Sequence, residues 1–109
     1  MIKHIVMWNL KGDTPDAKAS SISRLKAAFE GLVGKIPGLL HMEVGVDMSR
    51  VDYACDVVLY SEFDSRESLS AYAVHAEHLR VKAELGDLRI ARHQVDYPAS
   101  RVASGATRT

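Results

Sequence analysis

Residues 70–81 read SAYAVHAEHLRV and put Tyr72, His75 and His78 within seven positions. Imidazoles change charge near neutral pH and move protons, and a phenol can donate a hydrogen bond to a developing oxyanion. Three-residue spacing on a helix lets His75 reach either Tyr72 or His78. The order His-x-x-His, with Glu77 just before the second histidine, does not match the zinc-protease pattern. That pattern needs histidines four apart and the glutamate directly after the first. His75 and His78 could share an ion with Glu77 or Glu43, but the spacing fixes no third ligand, so no metal and no cofactor is assigned. A third candidate, His4, sits among Ile2, Val6 and Trp8 on one side of a strand. The tentative catalytic, cavity-lining set is therefore His78, Tyr72 and His4. Each has a plainer alternative: His4 as a core histidine bonded to a backbone carbonyl, Tyr72 as a core or interface ring, His78 as a cap or partner contact. His75 is assigned to the helix backbone.

The elements that must position these residues follow from periodicity. Residues 2–10 alternate as a strand with apolar residues on both sides, which predicts a strand covered on both faces. DTPD offers Asp13 or Thr14 as a cap and Pro15 in the first turn of a helix running to about Val33, with Ile22, Leu25, Phe29, Leu32 and Val33 as its apolar stripe. Gly34 and Pro37-Gly38 end it. Residues 39–48 and 55–63 read as the next two strands. Asp64 and Glu67 form a capping-box variant opening a second helix, with Leu69, Tyr72, Ala76 and Leu79 at helical spacing and a further helical piece to about Leu85. Residues 89–97 form the last strand, with Ala91, His93, Val95 and Tyr97 opposite Arg92, Gln94 and Asp96.

Two strand-helix-strand halves in succession predict an α+β, ferredoxin-like βαββαβ fold: an antiparallel sheet with its helices on one face. A chain of 109 residues with 47% hydrophobic residues suits one domain, residues 1–97, followed by the tail 98–109. The doubly apolar first strand leaves a sheet face that only a partner can cover, so a homodimer of two packed sheets, a dimeric α/β barrel, is expected. The tail ASRVASGATRT is too polar to order itself and is expected to pack on the other subunit. Fourteen basic residues balance fourteen acidic ones, which argues against nucleic acid or an anionic membrane as partner. No segment reads as a secretory signal or membrane span, and the single cysteine, Cys55, excludes an intrachain disulfide; a cytoplasmic protein is expected. Cys55 reads as a small buried strand residue, not a nucleophile.

MIKHIVMWNLK at the start, IPGL followed by EVGVD, LYSEFDSRESLSAYAVHAEHLRV and the closing VDY, in this order, resemble the stress-responsive dimeric alpha/beta barrel domain family over about residues 1–97. The resemblance implies a homodimer of ferredoxin-like subunits, each with a cavity between sheet and helices. It also implies two readings of function: a stress-related module whose cavity binds a small apolar or aromatic ligand, or a cofactor-free lyase. Some plant members are polyketide cyclases that perform an intramolecular aldol reaction with a histidine and a tyrosine. Those roles would fall on His78 and Tyr72, with His4 as the second histidine. Three positions depart from that type: Ala76 stands where the family's helix has proline, Val57 where a third-strand histidine is expected, and Phe29 where the first helix has tyrosine. A monooxygenase of the wider barrel superfamily is a further option, for which His75, His78 or His93 would be the haem ligands to try.

Overall fold

A computed structural model describes residues 1–100. The chain runs β1 (Ile2–Leu10), α1 (Pro15–Glu30), β2 (Leu39–Val46), β3 (Val57–Phe63), α2 (Arg66–Ala73), α3 (Ala76–Leu85) and β4 (Arg89–Pro98). The four strands form one sheet in the order β2-β3-β1-β4, antiparallel throughout. This is the expected ferredoxin-like arrangement, with the second helix divided in two.

β1 is central because both of its edges are paired. Its even positions, His4, Val6, Trp8 and Leu10 among them, are buried against the helices, and the odd positions Lys3, Ile5 and Met7 turn to the opposite, uncovered face. β3 repeats the pattern: Val57, Leu59, Ser61 and Phe63 are buried and Val58, Tyr60 and Glu62 only partly so. The core joins the inner sheet residues to Leu25 and Phe29 from α1, Leu32 from the turn after it, and Val81 and Leu85 from α3. Trp8 stacks on Phe29 with ring centroids 5.3 Å apart.

Local chemistry sets the helix starts. Thr14, not Asp13, caps α1, its Oγ1 accepting from the Ala17 amide at 3.1 Å. α2 is capped by Ser65, whose Oγ accepts from the Ser68 amide, and Asp64 instead accepts from the Ser68 hydroxyl. The IPGL turn is locked to this cap. Gly38 has φ +81°, and a Cβ there would lie 2.2 Å from Ser68 Oγ, so only glycine fits against the start of α2.

Three sequence expectations need correction. α1 stops at Glu30, so Val33 leaves its stripe and is exposed. The run through Ala76 and Leu79 is not one stripe: the helix breaks at Val74-His75, Ala76 and Leu79 are exposed, and Val81 and Leu85 bury the last segment. Cys55 is partly buried and lies before β3, in the connection from β2. Tail residues 101–109 lie outside the described part; Ala99 still extends the pairing, its amide donating to the Met1 carbonyl at 2.9 Å.

Candidate functional site

The break in the second helix decides where His78 goes. After Tyr72, the amides of Val74 and His75 donate to the Ala71 and Tyr72 carbonyls, a tightened last turn. His75 then adopts an extended conformation, φ −69° and ψ 140°, and its own Nδ1 accepts from the Glu77 amide at 3.0 Å. His75 is thus the N-cap of α3, a role that a proline at position 76 would only reinforce. Restarting at Ala76 swings His78 back over Tyr72: the rings stack with centroids 4.1 Å apart and 22° between planes. His78 Nδ1–H donates to the Ala73 carbonyl at 3.3 Å. That bond assigns the neutral tautomer with its lone pair on Nε2. Burial lowers the His78 pKa below the ordinary imidazole value, and the nearby positive charges of Lys82 and Arg89 add to this against the hydrogen bonds to backbone carbonyls.

Tyr72 is 2% exposed, and its hydroxyl is a buried polar atom with no hydrogen-bond partner among the described residues. Burial pushes its pKa far above the phenol range, opposed in part by Arg92 and Arg89. The hydroxyl therefore stays protonated as a donor. His4, 6% exposed, sits edge-on to Tyr72 with centroids 6.2 Å apart. Its Nδ1–H donates to Asp96 Oδ1 at 2.5 Å, across a β1–β4 register pair. A carboxylate on Nδ1 fixes the orientation of the ring.

These three rings share one pocket of about 270 Å³ between helices and sheet. Val6, Trp8, Phe29, Leu59 and Leu69 form its apolar wall, and Ser70 and Ala73 part of its rim. The remaining wall comes from β4, and none of it was singled out as a site from sequence: Arg89, Arg92, Gln94 and Asp96. The alternation of Arg92, Gln94 and Asp96 was legible, but a polar strand face reads as solvated. In the fold it is the polar face that turns toward the helices, while Ala91, His93, Val95 and Tyr97 take the same side as Lys3, Ile5 and Met7. Arg89 joins by a device invisible in sequence. The register with β1 slips between Asn9 and Leu10, so Ala91 pairs with Asn9 but Arg89 with Leu10, and Ile90 is left out, exposed. That bulge brings Arg89 to the face of Arg92, where its guanidinium lies 5.2 Å from the Trp8 ring centroid.

The haem-ligand trial set is not assembled. His93 pairs with Met7 on the outer face and His75 Nδ1 is engaged by the backbone, leaving only His78 at the pocket. Among the described residues no group of three or more His, Cys, Asp or Glu side chains is placed to hold a metal, and no helix is long and apolar enough to cross a membrane.

The stress-responsive A/B barrel domain matches this chain over residues 2–99. The chain belongs to that family. A stress-response A/B barrel domain-containing protein of Arabidopsis thaliana is 28% identical over 93% of this chain and 48% of its own length. The chain spans about half or less of the curated relatives it matches. Among solved structures, a dimeric ferredoxin-like protein of unknown function from Bacteroides fragilis is 35% identical, with a TM-score of 0.76 over 88% of this chain and 93% of that one. A hydroxynitrile lyase from Passiflora edulis has a TM-score of 0.77 at 15% identity, covering 94% of this chain and 96% of its own, which shows a shared fold and no more. Within this A/B barrel domain, the pocket lies where the four-stranded sheet meets the α2–α3 break.

Proposed function

We propose that the protein is a homodimeric small-molecule-binding domain whose helix–sheet pocket takes a compact, largely apolar ligand bearing a carbonyl oxygen, in keeping with a stress-related family. The observation that carries this is the Tyr72 hydroxyl. A buried donor left unsatisfied costs about 1–3 kcal/mol, and here it belongs to a ring that lines the pocket beside two histidines. A ligand acceptor oxygen would recover that cost. Acetophenone matches the description, and Trp8, the only tryptophan, lines the pocket and reports on occupancy by fluorescence. Saturable quenching by acetophenone supports the reading; a linear, non-saturating response contradicts it.

A second reading rests on a separate observation, the neutral, Nδ1-anchored His78 stacked on Tyr72. Its Nε2 is suited to remove a proton alpha to the bound carbonyl while the Tyr72 hydroxyl donates to the enolate oxygen and the His4–Asp96 pair orients the substrate. This is cofactor-free lyase or cyclase chemistry. Its elementary step is measurable without the natural substrate, as exchange of the methyl protons of acetophenone in heavy water. Wild-type protein should accelerate the exchange, and His78→Ala should lose about 10²- to 10⁴-fold of that acceleration. Exchange equal in both proteins leaves the binding module as the function.

A further inference from the structure

The polar wall of the pocket is unevenly charged. Of its side chains the only acid is Asp96, already engaged by His4 Nδ1–H and by the Gln94 amide at 2.9 Å. Arg92 donates to the Gln94 carbonyl oxygen and has no carboxylate partner among the described residues. Arg89 has neither an ion pair nor a hydrogen bond there; the Trp8 ring covers its guanidinium and satisfies none of its five N–H donors. Two cations therefore face one pocket in which every negative charge is already used.

We infer that Arg89 and Arg92 form an anion clamp, and that the ligand is a carboxylate-bearing carbonyl compound, an aryl or alkyl oxo acid, with its apolar body against Trp8 and Phe29. This ligand assignment rests on the pocket reading above and adds a charge to it. The geometry fits the chemistry in three ways. Guanidinium groups match a carboxylate in plane and in spacing of donors. The β4 bulge has no other evident use: without it Ile90 would face the pocket and Arg89 the outside. The ends of the pocket are also chemically distinct, with the proton-handling rings Tyr72 and His78 on the helix side and the two arginines on the β4 side, so a ligand with an oxygen at one end and an anion at the other has a single orientation. Burial and the neighbouring Arg92 charge both push the Arg89 pKa down, the sign expected of a cation lacking its counter-ion.

The test uses three probes of one scaffold, acetophenone, 4-acetylbenzoate and 4-acetylbenzamide, titrated against the full chain by Trp8 fluorescence. The carboxylate should bind about tenfold or more tighter than the amide of the same shape, as charged hydrogen bonds exceed neutral ones. Raising salt should erode that advantage and leave the amide unaffected. Arg89→Gln and Arg92→Gln should each weaken the carboxylate selectively, and Arg89→Lys with Arg92→Lys should restore part of it. Equal binding of carboxylate and amide with acetophenone still saturable overturns the anion clamp and leaves the pocket reading intact. Failure of all three probes overturns both. Should a glutamine variant not fold, the salt dependence in wild-type protein decides the question alone.

Discussion

Tyr72 and His78 look alike in sequence, as two polar rings in an amphipathic run, and physics separates them. The Tyr72 ring belongs to the core, touching Phe63 at 5.1 Å between centroids, but its hydroxyl is stranded. Tyr72→Phe removes the stranded group and keeps the ring, so the unliganded protein should be as stable or more stable, by up to about 1–3 kcal/mol. Urea denaturation measures this, and a clear loss of stability would mean that the hydroxyl has a partner after all. His78 carries a pH signature. Its folded pKa lies below its unfolded value, so the unfolded chain binds more protons in the interval between them, and stability rises with pH there. The contribution is complete above the unfolded value near 6.5 and is lost as pH falls through the lower folded one. His78→Gln should therefore flatten the decline in unfolding free energy between neutral and mildly acidic pH; an unchanged slope would contradict the assignment. Of the pocket's residues, His4, Tyr72 and His78 could be picked out because their chemistry is conspicuous. Asp96 and the arginines could not, because their meaning depends on which strand face is covered.

At the scale of the elements, strands were readable because period-two patterning is strong and both halves of the chain repeat it; β1 begins and ends where alternation predicts. The helix break was less legible. Leu69, Tyr72, Ala76 and Leu79 fit one helical stripe, and nothing in hydrophobicity reveals that a histidine will accept from the amide two residues ahead. With the break seen, Ala76 becomes the first residue of α3, preceded by a His75 whose φ and ψ already suit a residue before proline. Ala76→Pro should then stabilise the fold by about 0.4–1 kcal/mol, since proline restricts the unfolded chain and removes no helical hydrogen bond. A lower urea midpoint for this variant would show that α3 does not begin there. His75→Ala removes the cap bond and should cost about 0.5–1.5 kcal/mol by the same measurement.

For the whole molecule, the sheet's second face is the unanswered surface of a single chain. Ile5 and Val58 are only partly buried there, and Met7, Val95 and Tyr97 are exposed, with Val95 opposite Ile5 in register. A mixed face of this kind is costly in water and is expected to close on a second copy, with total burial above about 1,000 Å². Sedimentation equilibrium at micromolar concentration should give the dimer mass, and Val95→Asp should shift it toward the monomer. The pocket sits on the other side of the sheet, so a second copy closing on this face would support the ligand site from behind and would not fill it. That placement makes one comparison the most direct test of the whole account: the affinity of wild-type and Tyr72→Phe protein for acetophenone, read from Trp8 fluorescence. If the stranded hydroxyl exists to meet a ligand oxygen, the wild type binds saturably and the variant more weakly by one hydrogen bond, about 0.5–1.5 kcal/mol. Equal affinities in the two proteins, or no saturable binding in either, would contradict it.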